Sequence, residues 1–310
     1  MKKTLVTGGA GFIGSHLVEA LVRRGDDVVV LDDLSTGAAA NLEAVAERIR
    51  LAVGDVADTT LLADVLAGVD TVFHLAALTS VTESVEDPEA FHRVDAGGTL
   101  AVLSAARAAG VRRFVLAGSC AAYGEGGEIP ATETDPVDPL SPYAAAKLAA
   151  EAYAKAYRNA FGLEAVTLRF FNVYGPRQRA DAAYAAVVPR FLDALLSKER
   201  PTVFGSGEQT RDLVFVEDVV SACLAASDVE ALSSPVLNVA SGRSVSVLEV
   251  LEACGAALGV VPDPVFEPAR PGDILHSRAD VTRLAEVLGF RASISLKEGI
   301  RRTADRARNG

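Results

Sequence analysis

The sequence predicts an α/β protein, a doubly wound parallel sheet joined to a smaller, loop-rich C-terminal domain. Three observations predict it. Apolar, β-branched runs of strand length recur through the first half, helical stretches closed by glycine separate them, and the two alternate. Continuous apolar strands leave no face for water, so helices must cover both sides of their sheet, as in parallel α/β proteins.

The strands expected in order are 4–7, 28–31, 51–53, 71–75, 114–117 and 165–169. Between them, helices over 15–24, 94–109 and 143–161 run into Gly25, Gly110 and Gly162, the residue a left-handed C-terminal cap prefers. Past residue 170 the regularity weakens, and Gly175-Pro176, Gly205-Ser206-Gly207, Pro262-Asp263-Pro264 and Pro271-Gly272 punctuate shorter elements. Residues 1–170 are therefore expected to form the doubly wound domain and 171–310 the smaller second domain. The run at 236–239 reads as a buried strand, so a segment near 212–240 is expected to return to the first sheet.

Of the 310 residues, 50% are hydrophobic and 23% charged, with 26 glycines and 13 prolines, which excludes disordered and collagen-like classes. The net charge of −11, without any block of Lys and Arg, argues against a nucleic-acid surface. Cys120, Cys223 and Cys254 are an odd number without CxxC spacing, so neither a disulfide framework nor a metal site is expected. No apolar window reaches the ~18 residues of a membrane span, and Thr7-Gly8-Gly9 breaks the first apolar run too early for an export signal. A cytoplasmic protein without membrane partners is expected.

Directly after the first strand stands Gly8-Gly9-Ala10-Gly11-Phe12-Ile13-Gly14, opening into a helix. Glycines at this spacing permit a tight turn and close approach of backbone to a pyrophosphate, which the oriented N–H groups of the helix N-terminus then bind. Asp32 ends the next strand, where a carboxylate accepts from an adenosine ribose and repels a 2′-phosphate; NAD is favoured over NADP. Asp33 either assists or forms a solvated turn, and Asp55 either reaches the adenine edge or caps the following helix.

Ser141-Pro142 is a helix start, with Ser as N-cap and Pro at the first helical position, which sets Tyr143 and Lys147 one turn apart on one face. A tyrosine serves as a base near neutral pH when its phenol, with an ordinary pKa of about 10, is pulled down, and an ammonium beside a nicotinamide cation does that. Ser119 supplies a hydroxyl at the end of a preceding strand, the edge where parallel sheets bind ligands.

These residues resemble the extended short-chain dehydrogenase/reductases, in particular the NAD-dependent epimerase/dehydratase family and, within it, the UDP-hexose 4-epimerases. The resemblance spans nearly the whole chain. Besides the glycine loop it rests on His74-Leu75-Ala76-Ala77, Ser119 with Tyr123-Gly124, Ser141-Pro142-Tyr143 with Lys147, Asn172-Val173-Tyr174-Gly175-Pro176-Arg177, Gln209-Thr210-Arg211-Asp212 and Arg270-Pro271-Gly272-Asp273. It implies a Rossmann domain binding NAD through Gly8, Gly11, Phe12, Ile13, Gly14, Asp32, Asp33, Asp55, Val56, Leu75, Ala76, Ala77, Tyr143 and Lys147. It further implies that Tyr143 takes the proton of the sugar O4 hydroxyl, that Ser119 relays it, and that Lys147 holds the nicotinamide ribose and depresses the Tyr143 phenol. Arg211 and Arg270 are then the cations for the diphosphate, Asn172 lies near it, and Asp273 binds ribose hydroxyls. A homodimer through the 94–109 helix and the Tyr143 helix is also implied.

Two departures and one substitution sharpen this. The stretch Ser119-Cys120-Ala121-Ala122-Tyr123 lacks the acid that dehydratases and decarboxylases of the family carry there, which leaves oxidation and re-reduction. Asp95 stands where the family usually has Asn. Ser277, four residues after Asp273, replaces the bulky tyrosine of epimerases restricted to plain hexoses and leaves room for a 2-acetamido group. The 183–189 run, with Val188, also resembles branches that accept N-acetylhexosamines. The expected reaction is 4-epimerisation of a UDP-hexose such as UDP-glucose, its N-acetylated counterpart also being admitted. UDP-glucuronate, with Arg177 and Arg179 to pair its carboxylate, remains an alternative, as do net oxidoreduction of a nucleotide sugar and non-catalytic sensing.

Overall fold

The computed structural model describes residues 1–125, 129–179, 186–269 and 275–309. Its main sheet comprises strands β1 (Lys3–Thr7), β2 (Asp27–Asp32), β3 (Ile49–Val53), β4 (Thr71–His74), β5 (Arg113–Ser119), β6 (Glu164–Phe170) and β7 (Val236–Val239). They lie in the order β7-β6-β5-β4-β1-β2-β3, and every neighbouring pair is parallel. This is the doubly wound α/β arrangement expected, with the strand order reversing beside β1, where such sheets open a crevice at their carboxyl ends. Residues 236–239 do return to the sheet, beside β6. At the other edge β3 is less covered than its apolar sequence implies, and Leu51 and Val53 remain exposed, whereas the opposite edge strand β7 is buried throughout.

The larger helices are α1 (Phe12–Arg24), α2 (Thr99–Ala108), α3 (Pro142–Phe161), α4 (Val187–Leu196), α5 (Val216–Asp228), α6 (Val247–Leu258) and α7 (Leu296–Asn309). Leu17, Val18 and Leu21 of α1 and Val219, Ala222 and Ala226 of α5 cover one face of the sheet. Val102, Leu103 and Ala106 of α2 and Ala150 and Ala154 of α3 cover the other. A separate core joins α4, α6 and α7 through Phe191, Leu192, Leu251 and Ile300 to Tyr174 and Phe215. The expected glycine caps form, Gly25 at φ 90°, Gly110 at 72° and Gly162 at 72°.

One expected helix is built differently. Over 94–109 the chain does not hold a single α-helix: His92–Gly98 is a π-helical turn, and the regular helix starts at Thr99. The Gly97-Gly98 pair removes the side chains that would resist such widening, and a Cβ on Gly98 would stand 2.8 Å from Val56 Cγ2.

Candidate active site

The carboxyl ends of β1, β4 and β5 converge on one edge, and the loops leaving them carry the predicted residues. After β1, Gly8 is left-handed at φ 68°, and a Cβ there would fall 2.6 Å from Ala76 N. A Cβ on Gly11 would be 3.2 Å from Gly8 O. The loop is thus a cradle that side chains would fill. Gly11 is the N-cap of α1 and gives no side-chain cap, so the first-turn N–H groups at Phe12, Ile13 and Gly14 have neither an intrahelical nor a side-chain partner at the end of the glycine loop. That donor set fits a diphosphate.

Asp32 is buried at the end of β2. Its Oδ2 accepts from Ala10 N at 2.8 Å and its Oδ1 from Leu34 N at 2.9 Å. The carboxylate therefore locks the glycine loop to β2, and each oxygen keeps a lone pair for a ribose hydroxyl. Asp33 is exposed and accepts from Ser35 N at 2.9 Å and Ser35 Oγ at 2.6 Å, which is a local turn. Asp55 accepts from Ala57 N at 2.8 Å; the N-cap of the next helix is Asp58, so the capping alternative for Asp55 does not hold. Val56 is buried beneath the site.

Past β4, Leu75 N donates to Thr7 O at 3.1 Å and Ala76 N to Thr7 Oγ1 at 3.3 Å, which holds Leu75, Ala76 and Ala77 against the cradle. The same Thr7 hydroxyl meets His74 Nδ1 at 2.6 Å, while His74 Nε2 meets Thr99 Oγ1 at 3.0 Å. Burial, and then the nearby Lys147 charge, pull His74 down to about 3, so it is a neutral structural imidazole near pH 7.

Ser119 ends β5, its Oγ accepting from Ala121 N at 3.2 Å. Tyr143 sits in the first turn of α3, which Ser141 caps through Ala144 N at 3.1 Å, and its ring packs edge-on against Phe91 at 6.3 Å. Lys147 follows one turn on and is buried. Burial pushes the Tyr143 phenol above its ordinary value; a side-chain interaction with Ser119 opposes this, and Asp95 and Cys120 reinforce it. The lowering expected from Lys147 is thus not a property of the protein alone. The reason is that burial of the phenol itself outweighs its interaction with Ser119; Lys147 is in turn lowered by burial, which Asp95 opposes.

Beyond this edge lies a cleft of about 250 Å³ lined by Asn172, Val188, Arg190, Phe204, Gln209 and Arg211 among others. Asn172 Nδ2 donates to Asp212 O at 3.1 Å, which ties the two predicted substrate segments together. Asp212 itself accepts from Ser241 N at 2.8 Å, Gly242 N at 3.0 Å and Ala279 N at 3.1 Å, and so fixes the strand end that carries Arg211. Sequence reasoning missed Arg190 and Phe204, which have no diagnostic spacing, and gave Gln209 and Asp212, although they flank Thr210-Arg211 in a recognised motif, no part in the site. Ser277 lies beside this segment, its N donating to Thr210 O at 3.1 Å, but it does not line the cleft.

Arg177 is not available for a substrate carboxylate. It is left-handed at φ 69°, forms an ion pair with Glu19 and donates to Ser15 Oγ at 3.2 Å, clamping its loop to α1. Arg270 and Asp273, and residues 183–185 of the run before Val188, lie outside the described residues.

Residues 4–240 match the model of the NAD dependent epimerase/dehydratase family. A UDP-glucose 4-epimerase of Mycolicibacterium smegmatis is 43% identical over 313 residues, covering 99% of each chain. A UDP-N-acetylglucosamine 4-epimerase from Methanobrevibacter ruminantium, solved in complex with UDP-N-acetylmuramic acid, superposes with a TM-score of 0.95 at 36% identity over 99% of this chain and 98% of that one. A Thermus thermophilus UDP-glucose 4-epimerase solved with NAD superposes with a TM-score of 0.90 at 38% identity, covering 99% of each.

Proposed function

The chain belongs to the NAD-dependent epimerase/dehydratase family, and from that premise we propose that it interconverts the C4 epimers of a UDP-hexose. The observation that carries the reading is the interaction of the Tyr143 and Ser119 side chains, Ser119 ending β5 at the same edge of the sheet from which the glycine loop leaves β1. Between Ser119 and Tyr123 the chain offers no carboxyl group that would serve dehydration.

NAD is the cofactor of this family, and when bound it supplies hydride exchange at the sugar C4. Everything else falls to the chain. The N–H groups of Phe12, Ile13 and Gly14 bind the cofactor diphosphate, Asp32 the adenosine ribose, and Lys147 the nicotinamide ribose. Tyr143 Oη takes the O4 proton as C4 is oxidised, Ser119 Oγ hydrogen-bonding the same oxygen. The flat 4-keto sugar then turns about its link to the diphosphate, and Tyr143 returns the proton as the opposite face is reduced. No net redox change results. Retaining the ketone through that turn requires a firm hold on the nucleotide, which an acidic protein provides only through local cations such as Arg211.

Proton NMR of the purified protein with UDP-glucose or UDP-N-acetylglucosamine tests the reading. Appearance of the C4 epimer supports it, and an unchanged spectrum even with added NAD rejects it. Ser277 is our proposed determinant for the 2-acetamido group: it stands beside the cleft, not in its wall, and a tyrosine there would be long enough to intrude. Ser277→Tyr is expected to slow the N-acetylated substrate at least ~10-fold more than UDP-glucose, the scale on which pocket size discriminates. Equal slowing of both would remove Ser277 from that role.

A further inference from the structure

Helix α3 carries Tyr143 and Lys147, yet the face it buries has little relief. Its buried residues are Ala144, Ala146, Lys147, Ala150, Glu151 and Ala154. Helices seat against their neighbours by fitting ridges of side chains into grooves, and alanine methyl groups raise only low ridges, so apolar packing sets the axial position of α3 loosely. Glu151 follows Lys147 at the same one-turn spacing at which Lys147 follows Tyr143, which places all three on one stripe of the helix.

Glu151 is where the helix is tied down. Arg169 of β6 donates from Nε to Glu151 Oε2 at 2.9 Å and from Nη2 to Glu151 Oε1 at 2.6 Å, and both side chains are buried. A fork of this kind fixes distance and angle together. In the sheet Arg169 pairs with Gly118, the residue before Ser119, so it stands on the strand beside the end of β5. Its guanidinium also lies over the Tyr123 ring, 4.7 Å from the centroid. Tyr123 closes the 3-10 turn Cys120–Tyr123 for which Ser119 is the N-cap, and its hydroxyl donates to Asn238 Oδ1 of β7 at 2.6 Å. One side chain thus touches both the helix that carries Tyr143 and the turn that follows Ser119.

Stability alone is a poor reason for such a pair. Taking both charges out of water offsets much of their attraction, and apolar residues of similar volume often serve the fold as well. Arg169 Nη1 adds to the cost, being buried without a hydrogen-bond partner among the described residues. What the pair supplies is a defined geometry. We propose that Arg169 and Glu151 are positioning residues, whose ion pair sets the axial position of α3 against β6 and, through Tyr123, the turn after Ser119, so that the Tyr143 and Ser119 hydroxyls meet at one substrate oxygen. The proposal rests on the assignment of Tyr143 as the base. Both residues act through α3 and the Tyr123 turn, and a displacement of about 1 Å between reacting groups costs on the order of 100-fold in rate.

Replacing the pair whole, Arg169→Met together with Glu151→Leu, tests this, because no charge is left stranded. In that double variant kcat is expected to fall at least ~10-fold with KM within ~2-fold of the wild type, the pattern of a lost alignment in the transition state. Fluorine NMR of fluorotyrosine-labelled protein reads the same displacement without turnover. The Tyr143 line, identified by its absence from Tyr143→Phe, is expected to shift or broaden. Arg169→Lys keeps the charge and loses the fork; it is expected to show both changes, and it decides the matter if the double variant does not fold. A pair that serves stability alone would leave the Tyr143 line and kcat of the folded protein in place. That result, or a lowered kcat with the Tyr143 line unmoved, overturns the proposal. If the wild-type protein epimerises nothing, the functional reading fails, and the fluorine line still decides whether the pair positions Tyr143.

Discussion

Tyr143→Phe is expected to abolish epimerisation, lowering kcat by about 10³ or more while nucleotide binding persists, the scale for loss of a positioned general base. The substitution removes a single oxygen. The ring keeps its edge-on contact with Phe91, and the Ser141 cap that fixes the start of α3 is untouched, so the fold has no reason to change. What disappears is the group that takes the O4 proton. Ser119 cannot replace it, since an aliphatic hydroxyl is a far weaker acid than a phenol and is not available as an oxyanion base near neutral pH. The measurement is initial-rate NMR with UDP-glucose, paired with calorimetric titration of UDP. Unchanged turnover would move proton transfer to another group, and lost UDP binding would show that the ring, not the hydroxyl, matters.

What the sequence made legible is what local spacing encodes. The glycine loop, Asp32 at the next strand end, and Tyr143 and Lys147 behind a Ser-Pro helix start are short-range patterns, and each stands on the element that its spacing implies. Other parts depend on contacts between distant segments. Asp212 is bound by Ser241, Gly242 and Ala279, and no pattern around Asp212 announces those partners. Arg177 has the composition of an anion ligand, yet the fold spends it on Glu19 of α1. Apolar Leu51 and Val53 read as covered, and only the strand order reveals that they lie on an edge. The π-helical turn escapes a search for 3.6-residue periodicity because it widens the helix over seven residues, and the phase is regained at Thr99.

Gly14→Ala is expected to have the second large effect, on cofactor binding and on stability together. The obstacle is space, not backbone conformation. A Cβ on Gly14 would lie 2.0 Å from Gly8 O and 2.8 Å from Gly9 Cα, and both are backbone atoms with no rotamer to adopt. Gly8 cannot retreat, because its N donates to Leu31 O at 2.9 Å and its O accepts from Gly11 N at 3.2 Å. The loop must therefore move as a unit away from β2, breaking the Ala10 contact with Asp32 that shapes the cradle. Overpacking of this kind costs ~1–3 kcal/mol of stability. Displaced N–H groups at Phe12 and Ile13 should weaken NAD by ~100-fold, equivalent to ~2.7 kcal/mol. Gly25→Ala is the control: it is left-handed at φ 90° with nothing within 4 Å of a new Cβ. It should lose ~1–2 kcal/mol through backbone strain and keep its NAD affinity. Urea unfolding and fluorescence titration with NADH separate the two. A Gly14→Ala protein that bound NADH as tightly as the wild type would show that the cradle after β1 is not where the cofactor diphosphate sits.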